Sequence, residues 1–133
     1  GTKEEVDVIV ACTGYILAHP FFDPNFIDYR EGDVPLYLKM LHPKYKNLYF
    51  VGMFQPLGCI WPLAELQSKI VAAEIVGHWE RPKNTAQLAQ REVENPHYQQ
   101  IKTPRHTITV DYHLFRRELK EVLRSIKKSV VKV

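Results

Sequence analysis

Residues 6–12, V-D-V-I-V-A-C, form an apolar, largely β-branched run with one polar interruption. A run without alternation predicts a strand covered on both faces, as in a parallel sheet. Thr13 and Gly14 close it, and the glycine permits a tight turn or a close backbone approach to a ligand. From 16 to 46, Pro20, Pro24, Pro35 and Pro43 stand among aromatics, which predicts an irregular, packed connection. Residues 47–52, N-L-Y-F-V-G, predict a second strand that again ends in glycine.

The period then becomes helical. Pro62 suits a first helical position, and Leu63, Leu66, Ile70, Ala73 and Gly77 follow on one face, with Gln67, Lys69 and Glu74 off it. Gly77 and Pro82 end this helix. A second helix is expected over 84–94, opening with Asn84 and Gln87 in capping-box spacing and closed by Pro96. Residues 107–110 predict a short strand, after which Asp111 caps a last helix. That helix carries Leu114, Phe115, Leu119, Val122, Leu123, Ile126 and Val130 on one side.

Composition narrows the class. With 133 residues, 45% of them hydrophobic, the chain can bury one sizeable core and no more than one domain is expected. Two cysteines, Cys12 and Cys59, make no disulfide framework and suit a reducing compartment. No apolar stretch approaches the roughly 20 residues of a membrane-spanning helix. The opening residues lack a basic segment followed by an apolar one, so no signal peptide is visible.

The net charge of +3 joins two unlike parts. Residues 1–104 hold 10 basic and 12 acidic groups, whereas 105–133 hold 8 basic and 3 acidic. The basic character therefore belongs to the last helix, and a nucleic-acid role for the whole domain is not indicated. Three readings of that helix stand: its apolar side docks on the body, it lies on an anionic membrane surface, or it binds a calmodulin-like partner or nucleic acid.

Self-contained catalytic chemistry is missing. Glycines at 1, 14, 32, 52, 58 and 77 never take the G-x-G spacing of a dinucleotide or phosphate loop. The six histidines form no zinc-ligand pattern, and Ser68, Ser125 and Ser129 lie in helical patterns rather than a nucleophile elbow. No catalytic residue and no metal ligand is assigned.

Two stretches resemble the flavin-containing monooxygenase family. Residues 7–15, D-V-I-V-A-C-T-G-Y, resemble the family's D-x-V-I-x-A-T-G-Y motif. Residues 48–67, L-Y-F-V-G-M-F-Q-P-L-G-C-I-W-P-L-A-E-L-Q, are similar to its F-x-G-x-x-Q-P-x-G segment and P-x-x-E-x-Q helix start. Cys12 replaces the usual Ala and should pack in its place. The resemblance implies the C-terminal fragment of an α/β flavoprotein with two Rossmann-like dinucleotide-binding domains. Residues 1–15 would be the last NADPH-domain strand with a linker, Thr13, Gly14 and Tyr15. Residues 16–82 would complete the FAD domain, and 83–133 would be a helical extension bearing the basic amphipathic helix.

The resemblance also implies function. The parent would be an FAD- and NADPH-dependent monooxygenase that oxygenates amine nitrogen or sulfide sulfur through a flavin C4a-hydroperoxide. Its partners would be a small nucleophilic substrate and O2, with a peripheral membrane surface as a further candidate and no nucleic acid. Its place would be intracellular, cytoplasmic or associated with the endoplasmic reticulum. The Gly-rich loops for both cofactors would lie upstream, so the fragment alone is expected to be inactive. Gln55, Gly58, Pro62 and Leu63 are the expected cofactor contacts, where a loop and a helix start bring unpaired N–H groups and a positive dipole end together. The alternative from another class is a stand-alone interaction module that binds a membrane or partner through the basic helix.

Overall fold

The computed structural model describes residues 1–14, 18–23, 25, 26, 29, 34–96 and 107–130, with side chains to 127. Among the described residues five elements follow in order: β1 (Gln55–Pro56), α1 (Trp61–Ile75), α2 (Thr85–Glu94), β2 (Thr109–Val110) and α3 (Tyr112–Val130). β1 and β2 pair in parallel, with Gln55 opposite Thr109 and Pro56 opposite Val110.

Helices α1 and α3 pack on each other and hold the main core. Leu63, Ile70 and Val71 of α1 meet Phe115, Leu119 and Ile126 of α3, with Phe54 and Val110 beneath them. The Phe54 and Phe115 rings meet edge to face, centroids 5.1 Å apart, which suits the aromatic quadrupole. Most of the apolar side of α3 is thus spent on the body, with Leu114 left 37% exposed, while Arg116, Arg117, Arg124 and Lys127 remain exposed. Of the three readings of this helix, docking on the body is the arrangement observed.

The helix ends follow local chemistry. Asp111 accepts the Leu114 N–H at 2.8 Å and so caps α3 as expected. At the end of α1 the His78 N–H reaches the Ala73 carbonyl at 2.8 Å and the Gly77 N–H reaches Glu74 at 3.1 Å. This is a Schellman closure, and it needs the left-handed φ of +75° that Gly77 supplies. The expected capping box at Asn84 is not made: Asn84 has no side-chain cap bond, and the Thr85 hydroxyl instead donates to the Pro82 carbonyl.

Two expected strands are corrected. Residues 6–12 form no ladder; Val8, Ile9 and Val10 are 75%, 84% and 76% exposed. A strand exists only through a partner's edge, and among the described residues none lies beside this segment. Residues 47–52 contribute a single antiparallel bridge, Leu41 to Tyr49, before the chain turns at Val51 and Gly52. The described part of 16–46 is irregular and packed, as read from its prolines. Val34 and Leu36 join Phe50 and Met53 in a second cluster, and Leu38, Met40 and Leu41 enter the main one.

Candidate functional site

The site expected from the sequence lies where β1 runs into α1. β1 is tied down from below: the Gln55 N–H donates to the Ile108 carbonyl at 2.8 Å, and Phe54 just before it is 2% exposed. This anchoring leaves the Gln55 side chain on the exposed side. The next residues turn through Gly58, whose φ of +132° is open to glycine and strained for other residues. A Cβ at Gly58 would meet nothing within 4 Å, so space remains above this peptide.

Helix α1 begins without a side-chain cap, since its N-cap is Ile60. The Leu63 and Ala64 N–H groups both turn back to the Ile60 carbonyl at 3.1 Å, and Pro62 has no N–H to offer. No acidic residue stands in the first turn to offset the positive dipole end. Glu65 comes one turn later and is engaged by Lys69, whose hydrogen bond and charge hold its carboxyl below the usual range.

The expected cofactor contacts therefore divide. Gln55, Gly58 and Pro62 are exposed around the start of α1. Leu63 is fully buried in the core, so its side chain faces away from any ligand there. Thr13 is exposed and Gly14 has the turn-forming φ of +98°, while Tyr15 lies outside the described residues. Cys12 and Cys59 are free and exposed, so Cys12 does not pack as the resemblance implied.

Two features escaped the sequence reading. Trp61 is 76% exposed and Leu57 74%, so the loop and the helix start carry apolar side chains on the surface. Trp79, by contrast, is half-buried against the core. Gln67, expected on the polar face of α1, is fully buried. Its Oε1 accepts the Gly52 N–H and its Nε2 donates to the Leu38 carbonyl, each at 2.8 Å. Its spacing four residues after Leu63 and three before Ile70 puts it on the buried stripe, which is the signal that could have found it.

The groups exposed around the start of α1 are thus an amide, an open glycine peptide and the apolar Leu57 and Trp61, with no acidic residue in the first helical turn. Among the described residues no group of three or more His, Cys, Asp or Glu could hold a metal ion.

Comparison with known proteins decides the family, for the flavin-binding monooxygenase-like model matches residues 1–132. The chain belongs to that family. Membership implies a flavoprotein of the dinucleotide-binding fold class, and the mixed helices and short strands described above suit a portion of one. Rat (Rattus norvegicus) N-oxide-forming dimethylaniline monooxygenase 2 is 35% identical over 89 residues, covering 65% of this chain and 17% of its own length. Rat flavin-containing monooxygenase 5 is 31% identical over 116 residues, or 83% of this chain and 21% of its own. The human (Homo sapiens) flavin-containing monooxygenase 5 is 27% identical over 117 residues, again 83% and 21%. The chain spans about a fifth of the length of these curated relatives. No solved structure matches it.

Proposed function

We propose that this chain is the C-terminal part of an FAD- and NADPH-dependent monooxygenase, in which residues 55–62 form part of the wall against the flavin. The observation that carries the reading is the exposure of Gln55, Leu57, Gly58, Trp61 and Pro62 around the uncapped start of α1, within a family that binds flavin. The flavin, reduced by NADPH, supplies the reaction with O2 that places one oxygen atom on a soft nucleophile, an amine nitrogen or a sulfide sulfur.

The chain's own residues bind and orient. The Gln55 amide hydrogen-bonds the ring edge, and Gly58 lets the backbone approach. The start of α1 would favour negative charge on a flavin held there, and Leu57 and Trp61 would exclude water from it. Residues 1–15 serve as the last strand and linker of the NADPH domain, 16–82 as part of the FAD domain and 83–133 as a helical extension. Val8, Ile9 and Val10, exposed in this chain, would then be covered by neighbouring strands of the parent. The basic side of α3 is what this chain offers to an anionic membrane surface, and an intracellular or reticulum-associated setting suits the free cysteines. Among the described residues, no helix is long and apolar enough to cross a membrane.

The test uses the full-length flavoprotein. Gln55→Ala and Gly58→Val should weaken FAD binding and shift the flavin spectrum and reduction potential. Wild-type values in both variants would overturn the flavin-facing role. The coding sequence upstream of Gly1 should contain two G-x-G-x-x-G loops, and the 133-residue chain alone should bind no FAD and show no oxygenase activity.

A further inference from the structure

We propose that Gln67 is a positioning residue: it locks the loop from Gly52 to Gly58 onto α1, so that loop and helix start form one preorganised surface for the flavin. The proposal rests on the flavin-facing reading above.

A neutral amide in an apolar core costs free energy unless its hydrogen bonds are satisfied. Gln67 sits between Leu63 and Ile70 with no exposed surface, and both ends of its amide are used. A leucine or methionine would fill the same space. It would also orphan two backbone groups, the Gly52 N–H and the Leu38 carbonyl, so packing alone does not account for the amide.

The two bonds differ in what they hold. The acceptor end grips Gly52, three residues before Gln55. Gln55 is gripped in turn by the Ile108 carbonyl of the segment entering β2. The loop is thus pinned at two points, one from α1 and one from the β2 side. Because the first pin comes from the helix whose N-terminus borders the site, a shift of α1 carries the loop with it. Groups that must meet a rigid ring are best held on one such unit.

The donor end grips Leu38, which stands with Lys39 in a left-handed turn, both at φ +53°. Two consecutive non-glycine residues in this region persist only where the surroundings hold them. The Leu38 N–H is held separately by Glu92 Oε1 of α2, at 2.7 Å. One amide thus joins the turn that α2 braces to the loop that borders the site. The acceptor end serves the loop and the donor end serves the turn.

The division of labour sets the experiment, done on the full-length flavoprotein. Gln67→Met removes both bonds at similar volume, Gln67→Glu keeps an acceptor for Gly52, and Leu119→Ala is a core lesion on α3. The readouts are the unfolding midpoint, the FAD dissociation constant and the flavin reduction potential. Gln67→Met should weaken FAD by about tenfold or more and shift the potential. Gln67→Glu should fold less stably yet keep the wild-type potential, and it remains informative if the Met variant fails to fold. Leu119→Ala should lower the midpoint with FAD affinity unchanged. Should Gln67→Met also keep wild-type affinity and potential, Gln67 is structural only and the proposal falls. Gln55→Ala run alongside separates the two ideas. A shift there with none in Gln67→Met overturns the positioning role, and no shift in either overturns the flavin-facing reading and the proposal with it.

Discussion

The Arg81 guanidinium lies bidentate on the Glu74 carboxylate, with Nη2 2.8 Å from Oε2 and Nε on Oε1. Both side chains are nearly buried, 5% and 13% exposed. The remaining donors reach the His42 carbonyl at 3.0 Å and the Lys46 carbonyl at 2.6 Å, and the cation lies over the Tyr49 ring. Burial works against the charge, but Glu74 more than offsets it and holds the guanidinium above its ordinary value. One arginine thereby fastens the 42–46 loop to the end of α1.

Removing the anion should therefore cost more than a surface pair would. Glu74→Ala leaves a buried cation without its partner and should destabilise the protein by about 3 kcal/mol, read by chemical denaturation. Arg81→Lys should recover little, because an ammonium cannot span the carboxylate and two carbonyls at once.

His42 makes the same loop sensitive to acid. Its Nδ1 accepts the N–H groups of Lys44 and Tyr45, each at 3.1 Å, which requires the neutral ring. Burial first, and then the charges of Lys44 and Arg81, lower its pKa. The unfolded chain therefore takes the proton first as pH falls. The contribution is fully present above about pH 6.5 and is lost as pH drops through that value to the lowered folded one. Thermal unfolding midpoints should fall on acidification, and His42→Asn, whose side chain can make a similar turn bond, should flatten that slope.

The two sides of α3 should respond oppositely to mutation. Leu119 is fully buried, and Leu119→Ala should cost about 3 kcal/mol. Arg116→Glu with Arg124→Glu, on the exposed side, should change stability by less than about 1 kcal/mol. Comparable losses from both would show that the basic side is packed as well. Denaturant melts of the variants decide it.

At Gly58 the backbone conformation and the open space make separate contributions. Gly58→Ala should lower stability by about 1–2 kcal/mol through its φ alone, since the new methyl meets open space. Any additional loss seen only with FAD present would measure contact with the ring. Thermal melts of the full-length flavoprotein, apo and FAD-loaded, give both values.

What the sequence made legible was local. The period of α1 and α3, the Asp111 cap and the Gly77 stop all depend on near neighbours, and each is present. What it hid was relational. Residues 6–12 carry a buried strand's pattern, but a strand also needs an edge to pair with. Gln67 reads as polar and hence as surface until Gly52 and Leu38 are brought to its two ends. Trp61 reads as core by residue type, although its place at the helix start leaves it outside. At the candidate site, glycine, proline and glutamine were legible as a motif, whereas the inward turn of Leu63 follows only from the packing of α1 on α3.

The short parallel pairing of β1 with β2 has a genetic consequence. The stretch proposed to touch the cofactor and the stretch that braces it lie more than fifty residues apart in the gene. A premature stop codon between Leu63 and Thr109 would leave every codon of the cofactor loop intact while deleting the strand beside Gln55, and α3 with it. Alleles shortened between those codons should therefore lose stability and cofactor retention together, since Phe115, Leu119 and Ile126 of the core go with the strand, even though no residue proposed to contact the cofactor is lost.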